Sequence, residues 1–203
     1  DFAARFAVSR ETLTRLDCYA ALLTRWQKVH NLVAPRTLPQ LWGRHFADSA
    51  QLFALAPQAR RWLDLGAGAG FPGMVLAILL ADTPGSWVGL VESNAKKCAF
   101  LEAVRRETGA PAQIFCQRAE KLGQAPPEAV DIVTARALAP LAELIPLARP
   151  FMASHTQALF LKGRDVDAEL TEAARYWKIS AEKRPSLTDP EGRILMIHSL
   201  KRR

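Results

Sequence analysis

Asp64, Gly66, Gly68, Gly70 and Gly73 fall in one short stretch, WLDLGAGAGFPG at 62–73, and Glu92 follows 19 residues after Gly73. Glycines at this spacing let bare backbone approach a ligand where a strand turns into a helix. An acid at the end of the next strand can hold ribose hydroxyls. The stretch can be framed twice. From Gly68 it fits G-x-G-x-x-G, which seats a pyrophosphate on the helix N-terminus. From Asp64 it reads D-L-G-A-G-A-G, with a carboxylate two residues before the first glycine. Glu92 serves both frames, so it does not discriminate.

Asp64 does discriminate. A carboxylate beside a pyrophosphate is repelled, whereas one beside an ammonium or sulfonium is attracted. S-adenosylmethionine (SAM) carries both cations and no phosphate. The Asp64 frame therefore points to SAM, and the G-x-G-x-x-G becomes an overlap. Asp64 is also a common turn former, so a nucleotide (NAD)-dependent oxidoreductase remains the alternative.

The methyl acceptor would be met after the fourth strand, where the chain reads TARALAPL from Thr134 to Leu141. The Asp/Asn-Pro-Pro-aromatic motif of exocyclic amine methylation is absent. Pro126-Pro127 precedes the strand, between Ala125 and Glu128, and reads as a turn. No cysteine follows the fourth or fifth strand to serve as a nucleophile for carbon methylation. Arg136 sits there instead. A cation is a poor general base, so the acceptor would be an atom that needs no deprotonation. Guanine N7 has a free lone pair, on an edge that accepts hydrogen bonds from Arg or Lys. Catalysis would then be mainly alignment.

Alternating elements must position these residues. Apolar spacing predicts a helix from Ser9, as N-cap, to about Leu32, closed by Pro35. A second helix is predicted from Thr37-Leu38-Pro39 through His45, ending before Pro57. Strands are predicted at Trp62–Leu65, Trp87–Glu92, Ile114–Cys116, Val130–Thr134, Ala158–Leu161 and Ile194–Leu200. Helices are predicted at Pro72–Ala81, Asn94–Thr108 (stopped by Gly109), Leu138–Leu147 and Asp165–Lys178. That alternation is an α/β pattern, a parallel sheet with helices on both faces and ligands at the strand carboxyl ends. Residues 1–57 are expected to form a helical appendage, and 58–203 a single compact unit.

Composition narrows the class. The net charge is +7 over 203 residues. Residues 1–50 contribute +3, the neutral span 51–192 nothing, and 193–203 another +4. Basic ends around a neutral middle suit a phosphate backbone; solubility alone would also explain them. Cys18, Cys98 and Cys116 are odd in number and far apart, which suggests neither disulfides nor zinc, and reads as buried filler in a reducing, cytoplasmic protein. No metal and no membrane span are expected. The chain starts at Asp1, so a few native residues are expected to precede it; no leader pattern is visible.

Together the motifs resemble the bacterial 16S rRNA guanine-N7 methyltransferases, the RsmG (GidB) family. The likeness runs through Trp26–Leu32, His45-Phe46-Ala47-Asp48-Ser49, Asp64–Gly73, Glu92-Ser93, Lys96-Lys97, Arg136-Ala137-Leu138-Ala139, Leu161-Lys162-Gly163 and Gly192-Arg193. It implies a Rossmann-like class I methyltransferase fold, with a mostly parallel seven-stranded sheet. It implies SAM as cofactor, held by Asp64, Gly66, Gly68, Phe71, Glu92, Ala119, Glu120 and Arg136. Arg136 and Lys162 are the implied catalytic pair. His45, Lys96, Lys97, Lys162 and Arg193 are the implied RNA contacts. The partner would be 16S rRNA, the small ribosomal subunit or its assembly intermediate, with no obligate protein partner. Family members more often have Asp at the Glu92 position, and Gly-Glu-Arg where this chain has Glu191-Gly192-Arg193. A non-catalytic RNA-binding assembly factor is the other alternative. His45 and Asp48, three residues apart, could equally be a helix-packing pair, and Lys96 and Lys97 a solvated surface. Arg164, Lys201, Arg202 and Arg203 read as a general basic fringe, and Trp26, Trp42, Trp62 and Trp87 as core.

Overall fold

The structure, a computed structural model, describes residues 2–127 and 129–203. Glu128, the far end of the turn expected at Pro126-Pro127, and Asp1 lie outside the described residues. Strands β1 (Arg61–Leu65), β2 (Trp87–Glu92), β3 (Ala112–Cys116), β4 (Ile132–Arg136), β5 (Gln157–Lys162), β6 (Trp177–Pro185) and β7 (Arg193–Arg202) make one sheet, in the order β3-β2-β1-β4-β5-β7-β6. The first five pair in parallel, and β7 runs antiparallel to both β5 and β6. The chain moves outward from β1 to β3 and then returns to β4. The crevice between β1 and β4 is thus the switch point where such sheets bind ligands.

Helices α1 (Phe2–Phe6), α2 (Arg10–Gln27), α3 (Asp48–Leu55), α4 (Gly73–Leu79), α5 (Ala95–Thr108), α6 (Ala119–Leu122), α7 (Leu141–Ala148) and α8 (Val166–Ala173) flank the sheet. Trp62 and the inward residues of α2, α4 and α5 form one core. Leu63 and Leu65 pack with α7 and α8 on the opposite face. The N-terminal helix α2 therefore shares its core with the helix that follows the glycine loop. Local signals set the ends. Ser9 caps α2 by accepting the Thr12 N–H, and Asn94 caps α5 by accepting the Lys96 and Lys97 N–H groups. Gly109 closes α5 in the left-handed region, at φ 65°.

Four local expectations are corrected. Helix α2 stops at Gln27, because the Gln27 amide clamps the next turn: its Oε1 accepts from Leu32 and Val33, and its Nε2 donates to the Val33 carbonyl. The predicted second helix is three pieces: a 3₁₀ turn (Pro35–Gln40) that contains Pro39, a π-helical turn (Leu41–Ala47), and α3. Helix α7 starts at Leu141, not Leu138, because Ala137 has φ 52° and Pro140 is extended. Helix α8 ends at Ala173, so Lys178 belongs to β6, a strand the apolar runs do not mark.

Of the cysteines expected to be buried, Cys98 is, while Cys18 is half-buried and Cys116 is exposed where the edge strand β3 ends. Trp62 is buried, while Trp26, Trp42 and Trp87 pack at the core's margin. Among the described residues no helix is long and apolar enough to cross a membrane.

Candidate functional site

A cavity of about 770 Å³ opens at the carboxyl ends of the parallel strands. It brings together His45, Gly66, Gly68, Phe71, Glu92, Lys97, Ala119, Glu120, Arg136, Lys162 and Arg193. Of the residues expected at the site, Asp64 and Lys96 do not line it. Lys96 is exposed one position before Lys97 on the first turn of α5, where only Lys97 reaches the cavity.

Asp64 needs a fuller correction. It is 1% exposed and points to the same face as Trp62, beneath the glycine loop. Its Oδ2 accepts the Gly73 N–H at 2.9 Å and its Oδ1 accepts the Thr134 hydroxyl at 2.9 Å. Burial pushes its carboxyl up to about 7, against those two hydrogen bonds and Arg136, while Glu92 adds to the rise. Asp64 therefore ties the start of α4 to β1 and β4.

The glycine loop itself is a backbone cradle. Gly66, Gly68 and Gly70 have φ of 68°, 59° and 98°, a region costly for other L-residues. A Cβ at Gly68 would meet only the Gly66 carbonyl, at 3.8 Å, so bare backbone faces open space. Glu92 closes this wall: its Oε2 accepts the Gly68 N–H at 2.9 Å and its Oε1 accepts the Asn94 N–H at 2.7 Å. Each oxygen keeps a lone pair for a hydroxyl. Behind the loop, Tyr19 of α2 donates to the Ala69 carbonyl and stacks on Phe71, with ring centroids 5.5 Å apart. A cradle of backbone beside a hydroxyl-binding acid fits the nucleoside part of SAM.

The opposite wall is built from charges. Arg136 Nη1 donates to Asp48 Oδ2 at 3.2 Å, and Nη2 to His45 Nδ1 at 2.8 Å. The guanidinium also lies over the Phe71 ring, 5.1 Å from its centroid. Burial, then Arg136, then Arg44, lowers His45 to about 4. The imidazole is neutral: Nδ1 accepts from Arg136, so Nε2 carries the proton it shares with Thr37 Oγ1 at 2.9 Å. Lys162 is 9% exposed; it pairs with Glu169 at 2.5 Å and donates to the Ala139 carbonyl at 3.1 Å. Glu169 also accepts the Leu141 N–H. Both expected catalytic cations are thus engaged by the protein itself. Between them, Ala137 holds a left-handed φ at a cost of about 1 kcal/mol.

At the mouth, Arg44 bridges to Asp189 at 3.0 Å. Arg193 donates to the Pro190 and Gly192 carbonyls.

The GidB family model, rRNA small subunit methyltransferase G, matches residues 12–195. The chain belongs to that family. A Rhodopseudomonas palustris (strain BisB5) protein named ribosomal RNA small subunit methyltransferase G is 55% identical over 195 residues, covering 96% of this chain and 84% of the relative. Its Bradyrhizobium counterpart is 53% identical, covering 97% of this chain and 88% of its own. Solved structures share the fold at low identity. The O-methyltransferase TomG from Streptomyces achromogenes, in complex with SAM, has a TM-score of 0.59 at 15% identity, covering 90% of this chain and 88% of its own. Fibrillarin in its Nop5p complex has a TM-score of 0.56 at 16% identity, covering 73% and 79%. The chain thus has the class I methyltransferase architecture expected of SAM-dependent enzymes.

Sequence reasoning missed Tyr19, Arg44, Arg118, Leu138, Glu169 and Asp189. Arg118 and Leu138 line the cavity from loops, and Arg44, Glu169 and Asp189 enter it through ion pairs. Asp48 carried a signal, its three-residue spacing from His45, but Arg136 as their common target is 88 residues further along the chain.

Proposed function

We propose that this chain transfers the methyl group of SAM to N7 of a guanine in 16S rRNA, in the cytoplasm. One observation carries the acceptor. On the wall opposite the glycine loop each potential base is already bound: Asp48 and His45 to Arg136, Glu169 to Lys162, Asp189 to Arg44. Among the described residues this wall holds no free base, which suits an acceptor that brings its own lone pair. Guanine N7 has an in-plane lone pair and no proton to lose, whereas the lone pair of an exocyclic amine is delocalised into the ring and its methylation releases a proton.

SAM supplies, when bound, a methyl group activated by its sulfonium. In this reading Gly66 and Gly68 offer backbone to it, Glu92 accepts from its ribose hydroxyls, and Ala119 and Glu120 flank its adenine. Residues 1–57 act as an appendage of the catalytic unit 58–203, holding the loop through Tyr19 and Arg136 through Asp48 and His45. Lys96, Lys97 and Arg193 lie around the mouth, where they meet RNA phosphates.

The test is mass-spectrometric mapping of small-subunit rRNA, naked and in assembled particles, after incubation with protein and SAM. We expect one 7-methylguanine. Label on another atom, or binding of NAD without SAM, overturns the reading. For Arg136→Ala we expect RNA affinity retained with methylation lost. A wild type that binds RNA but never methylates it favours an assembly factor.

A further inference from the structure

Leu138 is the large apolar residue that the fold holds out into the cavity. Among the described residues, four large apolar side chains are well exposed: Val29, Leu138, Tyr176 and Leu187. Of these only Leu138, at 38% exposure, lines the cavity. Its loop is pinned on both sides. Arg136 before it is fixed by Asp48 and His45, and the Ala139 carbonyl after it is fixed by Lys162. After Ala137, with φ 52°, the Leu138 side chain lies against Gly66 at the start of the glycine loop. A Cβ on Gly66 would fall 2.5 Å from Leu138 Cδ1, so the leucine rests on bare backbone.

The chemistry of the acceptor gives this placement a use. A cation that donated a hydrogen bond to guanine N7 would occupy the lone pair that must attack the methyl group. Arg136 and Lys162 are turned to protein acceptors instead. An apolar wall orients a ring by contact and leaves the lone pair free. We propose that Leu138 is the surface against which the acceptor guanine lies, directing N7 toward the glycine loop, and that Arg136 and Lys162 are positioning residues that hold the loop presenting it. This inference rests on the guanine-N7 reading above.

The test uses the full chain, SAM, and an rRNA or particle that the wild type methylates. Leu138→Ala should lower kcat by about 10- to 100-fold. Its SAM Kd, by titration calorimetry, should stay within about twofold of wild type, and its thermal midpoint should be unchanged. Leu138→Met, similar in volume, should recover most of the rate. Wild-type turnover in Leu138→Ala, or a loss that tracks weaker SAM binding, overturns the proposal. A wild type that makes no 7-methylguanine removes the parent reading instead, and that result is seen without any variant.

Discussion

The two walls of the cavity are made by different means. The wall from β1 and β2 is backbone: glycines with positive φ and one acid whose oxygens are oriented by N–H groups. Its parts lie within 29 residues, from Asp64 to Glu92. The wall from β4, β5 and the β6–β7 loop is a set of ion pairs: Arg136 with Asp48 and Arg44 with Asp189 join distant segments, and Lys162 with Glu169 joins β5 to the helix that follows it. A backbone wall recognises shape, and at Gly70 it has no room for an added atom. A charge wall fixes the loop between its cations, and fails when one partner is lost.

That contrast can be broken at either wall. The largest effect is expected for Gly70→Ala, whose Cβ would lie 2.5 Å from the Tyr19 hydroxyl and 2.7 Å from Met74 Cβ at a φ of 98°. We expect a loss of about 3 kcal/mol or more in denaturant unfolding, and no SAM binding. Asp48→Ala strands the Arg136 guanidinium in a half-buried place; about 2 kcal/mol should be lost. Turnover should fall with SAM affinity retained, and an equal loss in both would erase the distinction between the walls. Glu92→Gln should weaken SAM binding about tenfold, roughly 1.4 kcal/mol, with kcat at saturating SAM preserved. Tyr19→Phe keeps the ring stack and removes one hydrogen bond, for about 1 kcal/mol in unfolding.

The smallest net effect in the wild type comes from a pair of opposed pH slopes. His45 is lowered to about 4, so its contribution is present above about 6.5 and is lost as pH falls toward 4. Asp64 is raised to about 7, so its contribution is present below about 4 and is lost as pH rises toward 7. Between pH 4 and 6.5 the two partly cancel. Relative to wild type, Asp64→Asn should gain stability more steeply as pH rises through that window. His45→Gln should shift the slope the other way. Unfolding midpoints across the window that run parallel in all three proteins would refute the assignment.

The same contrast decides what the sequence could reveal. The glycine loop was legible because its spacing is local and each glycine meets a backbone need. Six strands were legible as apolar runs or alternations. Strand β6 was not: at the sheet's edge it carries Lys178, Glu182, Lys183 and Arg184, with little burial to mark it. Asp64 is legible as a position in the loop motif, but spacing does not say that its carboxylate binds the Gly73 N–H and the Thr134 hydroxyl. Arg136 and Lys162 were placed at the cavity by spacing and resemblance, yet their partners were invisible. Nothing local in Asp48 or Thr188 announces that it closes a network.

Asp48 shows what such a network means for a growing chain. Its Oδ2 holds Arg136, and its Oδ1 accepts the Thr188 hydroxyl, 140 residues downstream. Gln51 on the same helix holds the Leu187 N–H. The N-terminal helices are synthesised first, and they wait for the final hairpin before their charge wall is complete. Translation order therefore puts the residues of the glycine-loop wall, complete by Glu92, well ahead of Asp189, the last acid of the opposite wall.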